Sequence, residues 1–220
     1  MRGGDRQVCV YAFADAGLPP RLRIRGRQLR TLSFGPIAVV IGAAPAARGV
    51  TTRALLAQHA IVTELARRSR ALLPARFGSL AREGSLQAVV REHAHALRSA
   101  LDRVRGRVQM TVRVFGPPDA SRPQESRGHG GAEYLRSRRR RARHLPPEHA
   151  VIRRLMTPLA RDEHAQAGDG RLRLTVFHLV GNDDLQPYRE RAAALQSQLQ
   201  PLEVVVTGPW PAFAFSPDLT

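Results

Sequence analysis

The sequence predicts an α+β fold on three observations. Short apolar runs bounded by turn residues are interspersed with longer segments whose apolar residues recur at helical spacing. These segments follow one another as β-β-β-α, an extended piece, α-β, then α-α-β-α-β. The 220 residues suffice for a packed core and leave room for one large domain or two small ones. Strand-helix-strand units in so short a chain point to two small α+β domains, at least one of them ferredoxin-like. The division expected is an N-terminal domain over 1–105 and a C-terminal, ferredoxin-like domain over 106–220, the latter with a flexible loop at about 116–131 and an aromatic tail.

Gln7 to Ala14 carries Val, Tyr and Phe and runs into Asp15, Gly17, Pro19 and Pro20, so it reads as a buried strand ended by a turn. Leu29–Phe34 and Pro36–Gly42 form two further β-like runs hinged at Gly35-Pro36, a hairpin. Thr51 or Thr52 offers a helix N-cap, and Leu55, Leu56, His59, Val62, Leu65 and Ala66 then mark a helix that reaches Leu72 and is stopped by Pro74. Ser85 is the expected cap of a second helix, with Leu86, Val89, Val90, Leu97, Leu101 and Val104 on one stripe and Gly106 at its end. Arg107–Phe115 alternates Val108, Met110, Val112 and Val114 inward with Arg113 outward, a half-buried strand.

Gly116–Gly131 has the Pro, Gly and Ser content of a loop, and Ala132–Arg143 reads as a very basic helix. Pro146-Pro147 restarts the chain into a helix bearing Ile152, Leu155, Met156 and Leu159, with an irregularity at Pro158. Arg171–Val180 is a strand, Asp184 opens a helix through Leu199, and Leu202–Thr207 is a last strand before a Pro-rich aromatic tail.

A hydrophobic content of 43% with 5% aromatics fits a core of Leu, Val and Ala. The formal charge of +17 comes from arginine alone, since no lysine is present. Such a charge favours solubility and acidic partners. The single cysteine, Cys9, lies in an apolar run and permits no disulfide within the chain. The longest apolar run, Ile37–Ala47, is broken by Gly42 and Pro45, so a cytoplasmic protein without a membrane span is expected.

Leu73-Pro74-Ala75-Arg76-Phe77-Gly78-Ser79, after a helix containing His59, resembles a segment that marks the gas vesicle protein L/F family. Thr207-Gly208-Pro209-Trp210-Pro211, followed by Phe213 and Phe215, resembles the same family's C-terminal signature, and Gly131-Ala132-Glu133-Tyr134-Leu135-Arg136 lies between the two in the family's order. Val8–Ala14 and Leu174–Val180 match its strand positions. The chain departs from the pattern at Gln109, where a glutamate is common, and at Ala212 in the tail. The resemblance implies two α+β domains with an added helical region. It also implies a non-enzymatic accessory or minor structural protein of gas vesicle assembly, found in the gas vesicle or the cytoplasm. Its partners would be the small hydrophobic shell protein and other accessory proteins.

Candidate partner-binding residues follow. Arg76 and Phe77 sit in a short extended segment, where a guanidinium clamping a carboxylate within the protein is the favoured reading and a binding role requires exposure. Trp210, Phe213 and Phe215 either close the protein's own sheet, the favoured reading, or form an apolar patch for the shell protein. Arg138, Arg139, Arg140 and Arg141 form the densest basic run, with Tyr134 as an apolar foothold. His93 and His95 do not face each other on a helix, and His144, His149 and His164 lack a compact spacing, so neither metal nor cofactor is expected. No phosphate loop, nucleophile elbow or carboxylate pair suggests catalysis. The alternative is an RNA-binding protein with a ferredoxin-like sheet and an arginine-rich helix. It is disfavoured because Arg107–Phe115 lacks the paired aromatics on which bases stack.

Overall fold

The structure, a computed structural model, describes residues 6–44, 51–117 and 145–218. The expected basic helix over 132–143 falls outside these residues. The fold is α+β with two antiparallel sheets. The chain divides into one unit of Met1–Arg107 with Trp210–Thr220 and a second of Val108–Pro209.

In the first unit, β1 (Gln7–Asp15), β2 (Arg21–Ile24), β3 (Arg27–Phe34) and β4 (Ile37–Ala43) precede helix α1 (Thr52–Arg68). Strands β5 (Leu72–Pro74) and β6 (Leu80–Arg82) follow, then α2 (Leu86–Glu92) and α3 (Ala94–Val104). The sheet order is β2-β3-β4-β1-β5, with β6 also on β1. The β3–β4 hairpin turns at Gly35-Pro36 as expected, and Gly35 takes the left-handed φ of +63° that the turn requires. Register against β4 runs from Val8↔Ala43 to Asp15↔Ile37 with an irregularity between Val10 and Ala12. Cys9, Tyr11, Ala12 and Ala14 of β1 share a buried cluster with Ile61, Val62 and Leu65 of α1. Val8, Val10 and Phe13 are buried too, and α3 also packs on β1 and β5, so β1 loses both faces to the core. Burial raises the Cys9 thiol above its ordinary pKa, which leaves it an unreactive core residue.

Several elements differ from the sequence reading. Thr51 does cap α1, its Oγ1 accepting from Ala54 N at 3.2 Å, but the helix ends at Arg68. Ser69 is extended, and its hydroxyl donates to Leu65 O at 2.9 Å. Leu72–Pro74 then pairs antiparallel with β1, so sheet pairing overrides helical spacing there. The second helix breaks at His93, and Ser85 does not cap it because its hydroxyl donates to Arg82 O at 2.8 Å. β2 and β6 were not foreseen at all.

In the second unit, β7 (Arg107–Phe115), α4 (Glu148–Met156), β8 (Ala160–Ala167), β9 (Leu172–Gly181), α5 (Leu185–Gln198) and β10 (Glu203–Trp210) give the sheet order β10-β7-β9-β8. β7 is not half buried as its alternation suggested. Met110, Val112 and Val114 are buried on one side and Gln109 and Thr111 on the other, where Gln109 Nε2 donates to Thr111 Oγ1 at 3.2 Å. α4 stops at Met156, short of the expected Leu159, and the polar stretch after it is edge strand β8, paired from Ala160↔Val180 to Ala167↔Leu174.

A polar chain crosses this unit's core. Glu163 of β8 accepts His178 Nε2 at 3.2 Å on one oxygen and His149 Nε2 at 2.7 Å on the other. A carboxylate can only accept, so His178 Nε2 bears a proton, and a neutral ring then receives the Tyr188 hydroxyl at Nδ1, 2.7 Å away. β8, β9, α4 and α5 are thereby joined through groups that would each cost ~1–3 kcal/mol if left unpaired. The His178 hydrogen bond, with help from His149, holds the Glu163 carboxyl at about 2. Burial, with the Glu163 charge, pushes the Tyr188 phenol well above its ordinary value, so this chain holds structure and offers no ready nucleophile.

Because the folded pKa of Glu163 lies below its unfolded value, its contribution is complete above about pH 4.5 and fades as pH falls toward 2. Glu163→Gln is expected to weaken amide-exchange protection of β8 and β9 strongly at pH 7 and little at pH 2.5. An equal deficit at both pH values would contradict the role given to the carboxylate.

Candidate functional site

The first unit gathers the two sequence segments singled out above. The segment after β5 is tied to β1 at both ends. Ala75 N donates to Tyr11 O and Val10 N donates to Ser79 O, each at 2.9 Å, so Arg76, Phe77 and Gly78 stand out as a turn beside the β1 irregularity. Gly78 has φ +75°, which an L side chain adopts only with strain. Gln58 of α1 holds the same turn from the side, its Nε2 donating to Arg76 O at 3.4 Å and its Oε1 accepting from Gly78 N at 3.5 Å.

The C-terminal segment docks at the same place. Pro211, Ala212 and Phe215 are buried, and the short 3₁₀ turn Phe213–Phe215 touches β5. Trp210 stands T-shaped to the His59 ring at 5.4 Å between centroids, and Phe213 stacks on that ring at 5.6 Å. Arg76 donates to Asp218 at 2.9 Å. Both side chains of this pair are open to solvent, at 73% and 58%. An ion pair so exposed is worth ~0.2–1 kcal/mol, so it does not clamp the fold in the way the sequence reading favoured. The exposure that a binding role for Arg76 requires is present.

The aromatic residues of the tail divide between core and surface. Phe215 turns inward at 7% exposure, while Phe213 remains 39% exposed. Leu55 and Leu56, which helical spacing placed on this helix, are 42% and 64% exposed. They lie one turn before His59 on the same helical face and extend the aromatic cluster into an apolar surface. Phe77 is half-buried at the rim. Tyr134, Arg138, Arg139, Arg140 and Arg141 lie outside the described residues.

Sequence reasoning missed Gln58, although a polar residue spaced with the inward-facing Ile61, Val62 and Leu65 was its signal. It also missed the pairing of His59 with the tail, for which no local pattern exists. Elsewhere, an open depression of about 380 Å³ in the second unit is lined by Arg153, Thr157, Ala160, Arg161, Asp162 and Glu163. Its charges oppose one another, and Arg161 reaches Asp184 at 3.4 Å, so it presents no one-signed surface to a ligand. Among the described residues no helix is long and apolar enough to cross a membrane.

Comparison with known proteins bears on this surface. Gas vesicle protein L of Streptomyces sp. strain CB03234 is 30% identical, the alignment covering 96% of this chain and 93% of that protein. The crystal structure of the gas vesicle protein GvpF from Anabaena sp. PCC7120 superposes with a TM-score of 0.73 at 14% identity, covering 97% of this chain and 99% of that one. GvpF from Microcystis aeruginosa gives 0.72 at 12% identity, covering 95% and 98%. At these identities the two structures speak for the fold alone. The model of the gas vesicle synthesis protein GvpL/GvpF family matches residues 8–217, which include both segments that meet beside His59, and the chain belongs to that family.

Proposed function

We propose that this protein serves gas vesicle assembly by covering an apolar segment of the shell protein with the surface formed by Leu55, Leu56, His59 and Phe213. Family membership supports the assembly role. The observation that carries the finer reading is the exposure of Leu55, Leu56 and Phe213 beside the tail and the Arg76–Gly78 turn. A shell subunit with an apolar face aggregates in water unless a partner covers it, and apolar surface of this kind marks such contacts. Aromatic residues flanked by arginine are the side chains that dominate interface energies, and Trp210, Phe213 and Arg76 supply them here. The same surface is available to other accessory proteins of the assembly. The work is done in the cytoplasm or on the growing vesicle.

Leu56→Glu and Phe213→Ser are each expected to reduce co-purification of the shell protein by about tenfold or more while leaving circular dichroism unchanged, since a lost interface anchor costs ~2 kcal/mol. Capture that survives both variants would refute the assignment of this surface. Capture abolished by nuclease would favour RNA binding instead.

Arg76→Ser is expected to change thermal stability by less than about 1 kcal/mol, as for other exposed ion pairs. A loss of shell-protein capture without a shift in Tm would assign Arg76 to recognition. A Tm drop of several degrees would return it to a structural role.

A further inference from the structure

We propose that the open edge of β2 binds an acidic, extended segment of a protein partner by strand addition, independently of the apolar surface around His59. β2 ends the sheet order of the first unit. Its register against β3 pairs Arg21 with Arg30 and Arg23 with Gln28, while Leu22 sits opposite Leu29. Leu22, Ile24 and Leu29 are buried, and side chains opposite each other share a face, so Arg21, Arg23 and Arg30 stand together on the other, exposed face. Arg25 at the turn adds a further exposed cation. No acidic residue occurs between Arg21 and Phe34. Arg30 is engaged by Glu83, whereas Arg21 and Arg23 have no ion pair among the described residues.

Like charges directly opposite weaken a strand pair; Glu83 already answers Arg30, and a ligand's carboxylate would answer Arg21 in the same way. The backbone is available at the same residues. Thr31 N donates to Pro20 O at 3.0 Å, which points the Pro20 carbonyl toward β3. In an antiparallel ladder the direction alternates, so Leu22 and Ile24 also face β3, and the N–H and C=O groups of Arg21 and Arg23 face the open edge. Among the described residues, one pair thus presents both unpaired backbone groups and side-chain cations at a two-residue repeat. An added strand with a carboxylate at every second position matches both features.

Other occupants fit less well. A second copy joining edge to edge would set arginine against arginine. A nucleic acid single strand would find phosphate contacts but no aromatic to stack on, since none lies between Arg21 and Arg30.

The test uses the full chain and fluorescence anisotropy with a labelled short peptide alternating Glu and Thr, and with a single-stranded oligonucleotide of equal charge. The wild type should bind the peptide more tightly than the oligonucleotide at low salt. Arg21→Gln with Arg23→Gln, two exposed changes whose folding is checked by circular dichroism, should weaken the peptide about tenfold. Arg23→Pro, which also removes the outward N–H, should weaken it further than Arg23→Gln. Unchanged binding by the double variant would overturn the site. Tighter binding of the oligonucleotide would make the face a phosphate-binding surface. Equal losses for the proline and glutamine variants would overturn strand addition. Absence of any binding would leave the arginines as protection of an edge strand against aggregation.

Discussion

Strand β1 carries the constraint on which the first unit depends. Both of its faces are buried, β4 occupies one edge, and β5 and β6 share the other. From Val8 to Ala14 no side chain on it can turn to solvent without leaving an unfilled space in the core. Its register against β4 shifts between Val10 and Ala12, and the surface turn leaves the sheet at the same place. Tyr11 O and Val10 N are the backbone groups that take Ala75 and Ser79. The chain between those two anchors must leave the sheet, and Gly78 supplies the backbone freedom to return. The position of Arg76 is therefore set by packing within β1, two residues away in hydrogen bonding but far away in sequence.

Much of this was legible from the sequence where signals were local. Thr51 caps its helix, Gly35-Pro36 turns its hairpin, and Cys9 is buried, each for a reason carried by the residue itself. The failures share a cause. Leu72–Pro74 and Ala160–Ala167 are strands only because other strands lie alongside them, and neither has the alternating apolar pattern that would announce it. β2 did carry a period-two signal in Arg21-Leu22-Arg23-Ile24, but its cations obscured it as a strand. At the candidate surface, the two segments were readable as belonging together, but their meeting point was not. The Phe213–Phe215 turn lies against β5 and Arg76 reaches Asp218, while His59 of α1 takes Trp210 and Phe213 in ring contacts, and the sequence distance between these partners leaves no trace in either segment.

The tail shows how a surface can be both anchored and open. A strand presents alternate residues to opposite sides, and a 3₁₀ turn divides them over a shorter span. Phe215 goes inward with Pro211 and Ala212, and burying such a ring is worth ~2–3 kcal/mol, enough to hold the segment against β5. Phe213 is then held outward as a consequence of its neighbour's burial. It rests on the His59 ring within the chain itself. Pre-ordering of this kind reduces the entropy a partner must overcome on binding.

Exposed Leu55, Leu56 and Phe213 would ordinarily invite self-association. The charge of +17 changes that balance. Two copies approaching through their apolar surfaces bring two fields of the same sign together, and the repulsion is long-ranged where the apolar attraction acts only on contact. A neutral or acidic partner meets the same apolar surface without that barrier. On the proposed reading of this surface, arginine excess and exposed leucine act together: the charge opposes association of two copies through it while leaving it open to a partner of other charge.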